Sequence, residues 1–144
     1  MSPEQLLGSV DFPEDDVVVA DFEAGVGTLT RLGEEHVDTV VIVVEATPKS
    51  LEVGARAAAL AAERTVARIV VVANRIRHDE DLETVKAAFP GMEVVGVPHD
   101  PKIVEADRKG VAPIDLDPNA PAVLALIGLA STLIPSSNEM AESF

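Results

Sequence analysis

Hydrophobic residues gather in four short runs, each closed by a polar or turn-forming residue. Residues 17–20 read Val-Val-Val-Ala and lead to Asp21. Residues 39–45 read Thr-Val-Val-Ile-Val-Val-Glu. Residues 68–73 read Arg-Ile-Val-Val-Val-Ala and lead to Asn74, and residues 93–97 read Glu-Val-Val-Gly-Val and lead to Pro98. Short β-branched runs bounded in this way predict strands. The run at 39–45 shows no alternation, so burial on both faces is expected. Helical spacing fills the intervals. Thr47-Pro48 opens an alanine-rich helix to about Arg64, with Thr47 as its cap. Asp79 caps a helix carrying Leu82, Val85 and Phe89 at helical spacing, and Pro90-Gly91 stops it. A short helix covers about 101–108, a proline-rich crossing runs from Pro113 to Pro121, and a last helix occupies 122–133. That last helix reads as a buried core helix, too short for the roughly 20 apolar residues of a membrane span. Ser2-Pro3-Glu4-Gln5 has the form of a capping box before a short helix to about Leu7.

Strands alternating with helices argue for an α/β fold, a mostly parallel sheet with helices on both faces. With 144 residues, one domain over 1–134 and a polar tail over 135–144 are expected. The apolar share is 47% and aromatics make up 3%, so the core must be aliphatic. A net charge of −14 disfavours nucleic acid and anionic membrane surfaces. The absence of cysteine removes disulfides, thiolate metal sites and cysteine nucleophiles, and fits a cytoplasmic protein. No secretory signal pattern opens the sequence.

The chemistry falls directly after the strands: Asp21/Glu23, Glu45/Thr47, Asn74/Arg75 and His99/Asp100. In a parallel sheet these positions share one edge, where ligands bind. Each also has a plainer reading. Asp21 can cap a turn, Gly25 and Gly27 can be turn glycines, and Asn74 is a common turn residue. Arg75 and Arg77 can be solvated, and Glu45 can bond nearby backbone N–H groups. His99-Asp100 lacks the nucleophile that would make it a catalytic pair. His36, His78 and His99 are too scattered for a metal spacing.

Several segments taken together carry a resemblance: Val-Val-Ala-Asp21-Phe-Glu-Ala-Gly25, Arg31, the run from Val37 through Glu45-Ala-Thr-Pro48 to Ser50, Val71-Val72-Ala73-Asn74-Arg75, and Gly96-Val97-Pro98-His99-Asp100. In this order they resemble the MinD/ParA-type P-loop ATPases, nearest to the carbon monoxide dehydrogenase maturation ATPases. The resemblance covers roughly 16–133 and corresponds to the C-terminal half of such a protein. It implies a Walker B role for Asp21, reaching Mg²⁺ through water, and a switch II role for Glu23-Ala24-Gly25. It implies that Asn74 bonds the adenine edge, that Arg75 flanks the base, and that Pro98 and Asp100 line the base pocket. ATP and Mg²⁺ are the implied cofactors, and dimerisation over ATP the implied assembly.

The 144 residues depart from that pattern. They contain no Gly-x-x-x-x-Gly-Lys-Ser/Thr phosphate loop, and the nickel-binding Cys-x-Cys pair of the maturation ATPases has no counterpart. The resemblance therefore implies an incomplete P-loop (Rossmann-like) fold lacking the phosphate-loop strand. It implies ATP hydrolysis that is slow or absent without a chain supplying the other half. Losing a central strand leaves backbone groups unpaired at a cost of several kcal/mol, so a homodimer, a complex or marginal stability is expected. The alternative is a non-catalytic module that binds a full-length ATPase or its client.

Overall fold

The computed structural model describes residues 11, 13, 16–22, 37–64 and 68–134. In chain order its elements are β1 (Thr39–Val44), α1 (Pro48–Glu63), β2 (Arg68–Ile76), α2 (Asp79–Ala88), β3 (Glu93–Pro98), α3 (Pro101–Lys109), α4 (Pro113–Leu116) and α5 (Pro121–Leu133). The three strands pair in parallel in the order β1-β2-β3. Successive crossovers stepping the same way across a sheet are right-handed and so fall on one face. Accordingly α1 and α2 cover one side, where Ile42, Val44, Val71 and Ala73 pack with Ala58, Val85 and Phe89. The chain then returns across the other side, where Val70, Val72 and Val97 meet Ala122 of α5.

Local sequence explains the joints. Gly54, Ala58 and Ala61 form the buried stripe of α1, spaced four and three residues apart. A Cβ on Gly54 would collide with the Val44 side chain and crowd the Phe89 ring, so glycine there sets how closely α1 approaches β1. Gly110 takes a left-handed φ of 65° and ends α3 by donating to the carbonyls of Ala106 and Asp107. At the sheet's lower edge, Arg68 clasps Glu93 through two nitrogens (2.6 and 3.0 Å) and donates to the Thr132 carbonyl at the end of α5 (2.6 Å).

Several expectations are corrected. Residues 17–21 were expected to form a strand, yet 16–22 carry no regular structure, and Val17, Val18 and Val19 are 56%, 44% and 88% exposed. A strand requires a ladder partner, and among the described residues β1 pairs only with β2. The described sheet thus has three strands, not four. The second apolar run is buried on one face only: Val41 and Val43 stand 39% and 61% exposed, because α5 packs over β3 and leaves β1 uncovered. For the same reason α5 is not a buried core helix. Ala122 and Val123 are buried, whereas Leu124, Leu126 and Ile127 are about half exposed. His78 rather than Asp79 is the N-cap of α2, and the Asp81 carboxylate accepts from the backbone N–H groups of Arg77 and His78. The expected helix ending near Leu7 and the tail over 135–144 lie outside the described residues.

Candidate functional site

Strand β2 does not stop at Asn74. It continues to Ile76 through a bulge in which Asn74 and Arg75 oppose Val97 alone: Ala73 pairs with Gly96 and Ile76 with Pro98. The bulge holds Arg75 at a φ of 57°, the left-handed region, and no other non-glycine described residue has a positive φ. For an L-residue this costs about 1–2 kcal/mol. The Arg75 guanidinium meets the Glu45 carboxylate at 3.2 Å, with both side chains roughly half exposed. Ion pairs this exposed contribute about 1 kcal/mol or less. The pair therefore does not offset the backbone strain, and strain of this kind concentrates at functional sites. Glu45 itself is fixed by its N–H, which donates to Ser50 Oγ at 2.9 Å.

Asn74 and Arg75 stand at the mouth of a groove of about 650 Å³, a volume in the range of small-molecule sites. One wall is the uncovered sheet face, from Val41 and Val43 to Val72 and Val97. The opposite wall is Ile103 of α3 with Leu126 and Leu129 of α5. The polar lining consists of Asn74, Arg75, His99, Asp100 and Asp107, with Pro98 among them. Aliphatic walls with a few convergent polar groups suit a flat, mostly uncharged ligand.

Asp100 is the buried polar residue of the site, 7% exposed. One carboxylate oxygen accepts from Lys102 N–H at the start of α3, and the other from Ala122 N–H at the start of α5, each at 3.0 Å. These two hydrogen bonds, first from Ala122 and then from Lys102, hold its pKa below the ordinary carboxylate value. A helix N-terminus attracts anions. Here both N-termini are occupied by the chain's own carboxylate, and Thr47 Oγ1 caps α1. The groove thus fits a nucleoside better than a phosphate.

Of the residues singled out from the sequence, Asn74, Arg75, Pro98 and Asp100 come together at this groove. Asp21 is exposed and does not line it. Glu23 and Gly25 lie outside the described residues. Among the described residues no three His, Asp or Glu side chains cluster as metal ligands, and no helix is long and apolar enough to cross a membrane. The apolar wall escaped sequence reasoning. Its signal is the pair Leu126 and Leu129, one helical turn apart, which the uniformly apolar α5 disguises.

No protein-family model matches the chain. Individual proteins do. An uncharacterized ATP-binding protein of Methanocaldococcus jannaschii is 35% identical over 120 residues, covering 81% of this chain and 46% of that protein. The carbon monoxide dehydrogenase accessory protein CooC of Rhodospirillum rubrum is 31% identical over 102 residues, 70% of this chain and 39% of CooC. A second uncharacterized ATP-binding protein of M. jannaschii is 34% identical over 98 residues. The chain spans less than half the length of these curated relatives. Over most of its own length, it is a homologue of part of the CooC-like ATP-binding proteins.

Proposed function

We propose that the groove receives the adenine and ribose end of ATP, and that the phosphates point away from it. The juxtaposition of Asn74, Arg75 and Pro98 on a groove with aliphatic walls supports this reading. Asn74 offers a donor and an acceptor to one edge of the base, and similarity to ATP-binding proteins agrees with it. Mg²⁺ and the β- and γ-phosphates would be held outside the groove, with Asp21 as the acid toward the metal and Glu23 and Gly25 beside the γ-phosphate. The phosphate loop would come from sequence beyond these 144 residues, in the same chain or in another. Without it, hydrolysis is slow or absent, since phosphoryl transfer rests on positioning and charge neutralisation. The wider role would be that of a CooC-like cytoplasmic ATPase, dimeric over ATP and serving metal-centre maturation.

Calorimetric titration of the 144-residue chain tests the reading. Adenosine and ATP should bind with affinities within about threefold of each other, without dependence on Mg²⁺. Asn74→Ala should weaken both about tenfold, the worth of a hydrogen bond to a buried polar edge. If ATP gives no heat at millimolar concentration, the base site is lost as an explanation. The second reading would then stand: an interaction module that uses its exposed apolar face (Val43, Leu124 and Ile127) to bind a full-length ATPase or its client.

A further inference from the structure

We propose that Glu45 is a positioning residue that holds the Arg75 guanidinium flat across the groove mouth, where it stacks on the face of the bound base. The proposal rests on the base-binding reading above. Three observations carry it. The bulge at Asn74 and Arg75 interrupts the β2–β3 ladder between Ala73 and Ile76, and Arg75 lines the groove there. Arg75 keeps a left-handed backbone that glycine would adopt without strain. Glu45, which lies at the end of β1 and does not line the groove, reaches across the strand ends to Arg75 Nη1 at 3.2 Å.

The groove chemistry says what Arg75 would meet. Among the described residues no Phe lines the groove, and the chain has neither Tyr nor Trp. A base seated there would find mostly aliphatic side chains on its faces; the planar groups beside it are the Asn74 amide, the His99 imidazole and the Arg75 guanidinium, and of these Arg75 has the Glu45 carboxylate against it. Guanidinium planes stack on aromatic rings, and a carboxylate partner restricts the orientations open to them. Glu45 supplies that carboxylate, and Ser50 Oγ holds the Glu45 backbone in turn.

The test measures adenosine affinity and melting temperature together, using the 144-residue chain and its Glu45→Gln, Arg75→Gly and Asn74→Ala variants. Arg75→Gly should bind adenosine about tenfold more weakly yet melt no lower than wild type, because glycine relieves the backbone strain. Glu45→Gln should weaken binding threefold to tenfold with an unchanged melt, and adding it to Arg75→Gly should cost nothing more. A role confined to stability would move the melts instead. If Asn74→Ala weakens adenosine while Glu45→Gln and Arg75→Gly bind like wild type, the assignment of Arg75 and Glu45 is overturned and the base site survives. If wild type itself does not bind adenosine, both are overturned.

Discussion

Asp100 shows how much one side chain can settle. The family resemblance implies that it lines a pocket, and it does line the groove. Its second hydrogen bond has no local signature, because Ala122 lies 22 positions away. That contact fixes where α5 begins, and it also closes the helix N-termini to other anions. The pH dependence follows with a definite sign. The folded pKa is lowered, so the ionised form favours the fold. Its stabilisation is complete above the unfolded carboxylate value near 4 and disappears as pH falls through the lower folded value. Asp81, Glu93 and Glu105 are lowered too, by the N–H groups of Arg77 and His78, by Arg68, and by Lys109 with Lys102 respectively, and they act in the same window. Asp100→Asn should therefore melt several degrees below wild type at pH 6. By pH 2 to 3 the difference should have narrowed, a comparison for scanning calorimetry.

At the scale of elements, the chain was legible wherever local patterning decides. Thr47, Pro48 and the Gly54, Ala58, Ala61 stripe place α1. Val85 and Phe89 turn α2 onto the same face. Legibility failed where a partner decides. Residues 17–19 and 39–44 are both β-branched runs, but among the described residues only the second has a strand beside it. The bulge was hidden as well, since no glycine marks it and Arg75 bears the positive φ instead. A sharp prediction belongs to the α1–β1 contact. Gly54→Ala, although favourable by helix propensity, should destabilise by about 1–3 kcal/mol, the usual cost of overpacking. Urea unfolding would read it as a lower midpoint with an unchanged slope.

For the molecule as a whole, charge and apolar surface pull in opposite directions. A net charge of −14 keeps chains apart, while Val41 and Val43 on the sheet and Leu124, Leu126 and Ile127 on α5 leave large apolar side chains exposed. Isolated chains should therefore associate more strongly as salt screens the charge. Sedimentation velocity at low and high salt should show the average mass rising, and Val43→Lys should suppress the rise. A salt-independent monomer would mean that the open face is not adhesive.

The two anchors of α5 have a mechanical consequence. Ala122 N–H is held by Asp100 at one end of the helix and the Thr132 carbonyl by Arg68 at the other. At about 1.5 Å per residue, the ten steps from Ala122 to Thr132 span some 15 Å. Pinned at both ends, α5 acts as a fixed beam and does not roll down to cover Val41 and Val43. Releasing one pin with Arg68→Ala should let it pivot, and faster amide exchange at the C-terminal turn of α5 than at its N-terminal turn would report the motion. The clasp at the far edge of the sheet thus props the groove open, so that whatever enters finds its walls already in place.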